Sequence, residues 1–159
     1  MARRLDRIDR RILSILQTDS TLSVAELAKR VHLSPTPCWK RVQRLEAEGV
    51  IQGKVAILDP HALGLGLTVF VAVETADHSA AWLQRFAETV SAMPEVMELY
   101  RMAGETDYLL RIVVPDMPAY DAFYKRLIAA MPLKNVTSSF AMERIKSTTA
   151  YPIPPDPED

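Results

Sequence analysis

The stretch from residue 34 to residue 45 carries the side chains best suited to chemistry, and that chemistry is hydrogen bonding. If the stretch is a helix, 100° per residue gives it one buried apolar stripe, made of Cys38, Val42 and Leu45. The residues that face away from this stripe are Thr36, Pro37, Lys40, Gln43, Arg44 and Ala47. Lys and Arg pair with guanine edges and Gln with adenine, so Lys40, Gln43 and Arg44 are predicted to contact bases in a DNA major groove.

Neighbouring residues of the same stretch are predicted to contact the DNA backbone. Ser34 and Thr36, at the N-terminus of the helix, can donate to phosphate with help from the helix dipole, and Pro37 lies beside them. Arg41 lies at the side of the outward face, where a phosphate contact is expected. Two alternatives stay open at this point: Ser34 can instead cap the helix, and the charged side chains can form an ordinary solvated helix face.

Three short helices are predicted to position these residues. Apolar residues recur three and four apart between residues 5 and 16, with arginines on the other faces. Ser23 and Glu26 have the spacing of a capping box, which predicts the start of a second helix. Ser34 followed by Pro35 predicts the start of a third. A tight link between the second and third helices is typical of a helix-turn-helix.

The sequence also sets the limits of this domain and gives it a positive charge. Gly49 is placed to end the third helix, so we expect a winged helix-turn-helix domain over residues 1–52 and an extended wing or linker over 53–60. Residues 1–54 contain 11 Lys and Arg against 6 Asp and Glu, whereas residues 55–159 contain 8 against 14. A basic first part and an acidic remainder favour double-stranded DNA as a partner of the first part.

Strands and helices alternate after residue 60. Strands are predicted at about 66–75, 96–103, 108–114 and 136–147, with helices at about 79–92 and 117–130. This order predicts a ferredoxin-like βαββαβ domain over residues 61–150, and hence an α+β fold class for the chain. Residues 151–159, with four prolines and three acidic residues, are predicted to be a disordered tail.

The sequence resembles the Lrp/AsnC family of feast/famine transcription regulators over nearly its full length. The matching segments are residues 5–13, the predicted recognition helix and its exit at 33–51, Ala103 to Leu110 with its Gly-x-x-Asp-Tyr pattern, and 145–149. The resemblance implies dimers that associate further, often to octamers, with amino acids as the usual effectors. Residues 36–41 and 136–143 look closest to a cysteine-responsive branch.

The resemblance also implies an effector site between subunits, beside the Gly-x-x-Asp turn. Turn amides can bind a carboxylate, and Asp107 can bind an α-ammonium group. Thr106 stands where many relatives have an aromatic residue. The residues carried over to this site are Tyr100, Met102, Gly104, Thr106, Asp107, Tyr108, Thr137, Ser138 and Ser139.

Other classes of protein are less consistent with the sequence. One cysteine and three scattered histidines give no metal-ligand spacing, and neither a cofactor nor an enzyme activity is expected, because no catalytic constellation is evident. A ferredoxin-like enzyme, an RNA-binding sheet and an architectural DNA-wrapping protein remain the alternatives. No signal segment and no apolar run of about 18 residues is present, which predicts a cytoplasmic protein without a membrane partner.

Overall fold

A computed structural model describes residues 5–154 and divides them into two compact units. The first comprises residues 5–57 and 145–154, and the second comprises residues 58–144. The chain therefore leaves the first unit, forms the second and returns. Residues 145–150, which we expected in the second domain, belong to the first unit.

The first unit is built on three helices: α1 (Arg7–Leu16), α2 (Val24–Arg30) and α3 (Pro35–Ala47). Asp6 caps α1 and Ser23 caps α2. In each case the capping side chain accepts from the amide three residues later, and the side chain of that later residue accepts from the amide of the capping residue. The capping box expected at Ser23 is therefore confirmed. Apolar residues from all three helices form its core, which includes Ile12, Leu27, Ala28, Val31, Cys38, Val42 and Leu45.

Gly49 ends α3 as expected. Its φ is +71°, a conformation that residues with a Cβ rarely adopt. The amide of Val50 donates to the carbonyl of Leu45, and the amide of Gly49 donates to that of Glu46, which together make a Schellman motif. Residues 53–60, where we expected an extended wing or linker, contain no helix or strand.

The second unit contains a four-stranded antiparallel sheet and two helices. Its elements are β1 (Leu67–Glu74), α4 (Ala80–Ser91), β2 (Val96–Arg101), β3 (Tyr108–Val114), α5 (Met117–Ala130) and β4 (Asn135–Phe140). The strand order β2-β3-β1-β4 confirms the ferredoxin-like βαββαβ prediction. The prediction that the last strand reaches residue 147 is wrong, because β4 ends at Phe140. The amide of Ala141 still donates to the carbonyl of Thr68, close to the start of β1 at Leu67.

The two faces of the sheet differ. Alternate residues of β1 and β3, such as Val71 and Leu110, are buried beneath α4 and α5 in the core of this unit. Their neighbours point to the opposite face, which no helix of the second unit covers. That open face exposes Phe70, Tyr100, Thr137 and Ser139.

Candidate nucleic-acid interface and effector site

The outward face of α3 presents the predicted base-contacting residues. Thr36, Pro37, Lys40 and Gln43 are all exposed. Within residues 5–154, Lys40 has no hydrogen-bond or ion-pair partner. The side-chain amide of Gln43 donates to Glu46 Oε2 at 3.0 Å along the same helix. A cation and an amide are therefore held on a surface that a groove of DNA could meet.

Ser34 begins α3 without using its hydroxyl. Its backbone is extended, as in a helix cap, but its side chain makes no capping hydrogen bond. A capping serine normally accepts from the second or third amide of the helix, and the third residue here is Pro37, which has no N–H. The alternative role of Ser34 as a side-chain cap is therefore wrong, and its exposed hydroxyl can bond a ligand.

Arg41 and Arg44 are both tied to Asp9 of α1. Asp9 is only 1% exposed. Its Oδ1 accepts from Arg41 Nη1 at 2.8 Å, and its Oδ2 accepts from Arg44 Nη2 at 2.5 Å. A buried carboxylate needs such partners, because an unpaired charge in the core is very unfavourable. These ion pairs link α1 to α3 and give both arginines a structural role.

Asp6 reinforces the attachment of Arg41. Its Oδ2 accepts from Arg41 Nη1 at 2.6 Å. Partial burial would raise the pKa of Asp6, but the Asp9 amide and the Arg41 guanidinium outweigh burial and hold this pKa below its ordinary value. The same hydrogen bond to Asp6 raises the pKa of Arg41, so Arg41 remains a cation at every relevant pH.

The returning C-terminal segment binds α1 at two points, at its C-cap Gln17 and at Arg10 near its start. Gln17 Nε2 donates to the carbonyl of Tyr151, and the amide of Tyr151 donates to Gln17 Oε1, each at 2.9 Å. Arg10 Nη1 donates to the carbonyl of Pro154 at 2.7 Å. The expected disorder of the tail is therefore wrong for residues 151–154. Residues 155–159 lie outside the described part of the chain.

A tight turn between β2 and β3 lies at the centre of the predicted effector site. The amide of Met102 donates to the carbonyl of Asp107 at 2.8 Å and closes the turn. Gly104 has a φ of +139°, and an added Cβ would meet no neighbouring atom within 4 Å, so backbone conformation rather than space calls for glycine here. Gly104 is exposed and Thr106 is half-buried.

Asp107 is fixed by the end of β1. Its Oδ2 accepts from the amide of Thr75 at 2.8 Å, and its own amide donates to the carbonyl of Val73 at 3.1 Å. Its Oδ1 lies 3.8 Å from Nδ1 of the exposed His78. One carboxylate oxygen of Asp107 is thus committed to the fold, and the other can take part in a polar site.

Two of the predicted effector contacts point into the unit instead of outward. Tyr108 is 3% exposed, and its ring packs against Trp82 and Phe86 with centroid distances of 5.7 and 4.8 Å. The hydroxyl of Ser138 shares a hydrogen bond with that of Tyr120 on α5. The side chains of Tyr108 and Ser138 are therefore unavailable to a ligand on the open face, because strand alternation turns them toward the helices.

Two of the remaining predicted contacts, Tyr100 and Thr137, occupy one row across the open face. Tyr100 pairs with Leu109, Leu109 with Ala72, and Ala72 with Thr137, so Tyr100 and Thr137 lie on opposite edges of the sheet. Three strand spacings separate them by roughly 14 Å. Ser139 lies in the next row, with Phe70 as its partner. The single chain brings the turn residues together but does not bring both edges into one pocket.

Both units match models of known domains. Residues 5–52 match the winged helix-turn-helix DNA-binding model, and residues 68–151 match the Lrp/AsnC ligand binding domain. The chain belongs to the Lrp/AsnC family. It is therefore a DNA-binding transcription regulator with a ligand-binding domain, as the sequence predicted.

Individual members of the Lrp/AsnC family are similar over almost the whole chain. The transcriptional activator DecR of Escherichia coli strain K12 is 57% identical over 150 residues, which span 94% of this chain and 99% of DecR. The crystal structure of an AsnC family regulator from Agrobacterium tumefaciens is 60% identical, with a TM-score of 0.90 and coverage of 93% and 97%. A Neisseria meningitidis regulator in complex with L-Met is 37% identical, with a TM-score of 0.88 and coverage of 94% and 97%.

Sequence reasoning missed several residues that organise this Lrp/AsnC protein. Asp9 stands three residues after Asp6, a spacing typical of a capping box, and that signal was available. No local signal identifies Thr75 or Gln17, because their partners lie far away in the chain. His78 is a further residue of this kind, since it lies beside Asp107.

Metal and membrane features are not found among residues 5–154. No group of three or more His, Cys, Asp or Glu side chains is arranged to hold a metal ion. None of the helices in this range combines the length and apolar character that a membrane crossing requires.

Proposed function

We propose that the chain is a cytoplasmic, sequence-specific regulator that binds double-stranded DNA through α3 and changes its binding when an amino acid occupies the second unit. The observation that carries the proposal is the outward face of α3, where Thr36, Lys40 and Gln43 are exposed within a basic unit. Lys40 supplies a charge that no ion pair among residues 5–154 occupies, and Gln43 supplies an amide suited to adenine.

The contacts divide into two classes. Lys40, Gln43 and Arg44 contact bases. Backbone phosphates are contacted by Ser34, Thr36, Pro37 and Arg41, with the free Ser34 hydroxyl acting at a helix N-terminus. Phosphate contacts fix the register of the protein on DNA, and base contacts then select the sequence.

The effector is an amino acid bound beside the turn from Gly104 to Asp107. The free turn amides suit a carboxylate, and the outer oxygen of Asp107 suits an α-ammonium group. Support for the ligand class comes from the Neisseria meningitidis regulator, which was crystallised with L-Met. Cysteine is the first candidate because of the sequence resemblance. Cys38 does not serve as its sensor, since burial raises the pKa of this thiol and keeps it protonated.

Residues from more than one chain complete this site, and the protein is a homo-oligomer. Met102, Gly104, Thr106 and Asp107 come from the turn, whereas Tyr100 and Thr137 lie on opposite edges of the sheet. A second copy can supply the missing edge. The open face, with Phe70 and Tyr100 exposed, offers a surface on which a second chain can pack, and dimers are proposed to associate into octamers.

DNA binding is tested by fluorescence anisotropy with a DNA fragment selected from random sequence and an unrelated duplex of equal length. Wild-type protein should prefer the selected fragment, and its affinity should fall steeply with salt. Lys40→Gln should lower the affinity for the selected fragment more than the affinity for the unrelated duplex, because Lys40 is assigned to a base edge. Lys125→Gln, an exposed lysine of α5, should change neither quantity. Equal affinity for both duplexes would indicate an architectural protein and contradict the proposal.

Effector binding is tested by thermal unfolding with each of the twenty amino acids. A ligand that binds only the folded protein raises the Tm, by an amount that grows with its concentration. The active amino acid should also change DNA affinity, and sedimentation velocity should show an assembly larger than one chain. No Tm shift with any amino acid would exclude the proposed effector class.

A further inference from the structure

We propose that Asp9 is a positioning residue that sets the orientation of Arg44, and secondarily of Arg41, and thereby the DNA sequence preference of the protein. This inference rests on the proposed contact between Arg44 and DNA. Asp9 itself lies in the interior of the first unit and acts through the arginines that it holds.

The geometry of Asp9 fixes both guanidinium groups. One carboxylate oxygen binds Arg41 Nη1 and the other binds Arg44 Nη2. The second oxygen also accepts from the amide of Asp6 at 3.3 Å. With 1% of the residue exposed, neither oxygen has free access to water. The carboxylate therefore cannot turn without breaking a buried ion pair.

Arg44 keeps donors available for DNA. A guanidinium group has five N–H donors in a fixed plane. In Arg44, the bond to Asp9 uses one of these donors, on Nη2. The Arg44 side chain is 42% exposed, and its Nε lies 3.8 Å from Glu48 Oε1. A planar group held in this way loses less conformational entropy when it binds a base than a freely rotating side chain would lose.

The charges around Asp9 indicate that this cluster contributes mainly by orienting the two arginines. Asp6, Asp9 and Glu48 carry three negative charges beside the two positive charges of Arg41 and Arg44. The cluster therefore has no net positive charge and adds little to the general attraction between the first unit and phosphate. Loss of the Asp9 charge should therefore leave non-specific binding equal or stronger, while the arginines lose their fixed direction.

The main variant is Asp9→Asn, which keeps the shape of the side chain and one oxygen acceptor. In the full chain, the ratio of affinities for the selected fragment and the unrelated duplex should fall by about 10-fold or more, in the range expected for one good side-chain contact to a base. The affinity for the unrelated duplex should stay equal or rise. A parallel loss on both duplexes would mean a purely structural role and would overturn the proposal.

Asp6→Asn is the matched control, because Asp6 lies on the same turn, contacts Arg41 but not Arg44, and is more exposed. Its affinity ratio should change less than that of Asp9→Asn, and an equal change would overturn the assignment to Asp9. The double variant Asp9→Asn with Arg44→Ala should have nearly the ratio of Arg44→Ala alone. Independent, multiplying effects would show that Asp9 does not act through Arg44.

Arg44 variants separate this proposal from the proposed DNA contact. If Arg44→Ala keeps the wild-type affinity ratio, Arg44 does not contact bases, and the proposed function needs revision at that residue. If Arg44→Ala lowers the affinity ratio but Asp9→Asn keeps the wild-type ratio, only the positioning role of Asp9 is wrong. Arg44→Lys provides a test should Asp9→Asn unfold: lysine keeps the charge but cannot hold Asp9 and a base in one plane. Arg44→Lys should have a lower affinity ratio than the wild type, while its affinity for the unrelated duplex stays the same. A wild-type affinity ratio in Arg44→Lys would overturn the proposal.

Discussion

The side-chain amide of Gln17 and the backbone of Tyr151 are joined by two reciprocal hydrogen bonds of 2.9 Å, although the residues lie at opposite ends of the chain. The side-chain amide of Gln17 thus makes the same two hydrogen bonds to the backbone of Tyr151 that a residue on a neighbouring strand would make. Since Tyr151 follows the exit from the second unit, this pair fastens the returning chain to the helix that carries Asp9.

Gln17→Ala is expected to loosen residues 151–154 without disturbing the sheet. Two solvent-exposed hydrogen bonds are lost, so the free energy of unfolding should fall by about 1 kcal/mol or less. Limited proteolysis should cut the C-terminal segment faster than in the wild type. Gln84→Ala is the control, because Gln84 bonds only to Glu88 on its own helix. Equal cleavage of both variants and wild type would contradict this attachment.

A strained backbone position at His32 leads to a second prediction. His32 follows the C-cap of α2 with a φ of +57°, and its exposed side chain has no hydrogen-bond or ion-pair partner among residues 5–154. Asn adopts this conformation readily, whereas a β-branched residue does so at a cost of about 1 to 3 kcal/mol. Urea unfolding should therefore find His32→Asn equal to or more stable than wild type. His32→Val should be less stable than His32→Asn by at least about 1 kcal/mol, and similar stabilities would exclude strain at this position.

Local patterns explain why much of the fold could be predicted. The capping box from Ser23 to Glu26 and the left-handed Gly49 each depend on residues only a few positions apart. The alternation of β1 and β3 likewise reflects a period of two. Such features can therefore be recognised from a short window of the sequence.

Long-range contacts explain what could not be predicted. Asp9 and its arginines are more than thirty positions apart, and Asp107 is equally far from Thr75. Nothing in the local sequence of Arg44 separates an arginine held by a buried carboxylate from one that is free in solvent. Strand patterning predicted a strand at Ser138, and the family resemblance assigned this residue to the effector site, but neither revealed that it faces Tyr120.

The lowered pKa of Asp6 makes part of the stability depend on pH. An unfolded Asp has a pKa of about 3.9, and in the folded chain the pKa of Asp6 is lower, so its stabilising contribution is complete above that unfolded value. The contribution is lost as pH falls through the folded pKa. Asp6→Asn still offers a capping side chain but cannot titrate. The difference in unfolding free energy between wild type and Asp6→Asn should therefore shrink from about pH 5 downward, and a constant difference would contradict this linkage.

Asp107 tests the effector site in a way that separates charge from fold. Asp107→Ala removes the acceptor for the Thr75 amide and is expected to destabilise the protein by about 1 to 3 kcal/mol, in addition to any loss of effector response. Asp107→Asn can keep that acceptor while it removes the charge that would bind an α-ammonium group. Its Tm without ligand should stay close to that of the wild type, whereas the amino-acid-induced rise in Tm and the change in DNA affinity should both disappear.

His78→Ala, which removes the neighbouring imidazole, should keep most of the response. A full response in Asp107→Asn would place the ammonium group of the effector elsewhere, because a neutral amide cannot replace a carboxylate as partner for a cation without a large loss of affinity.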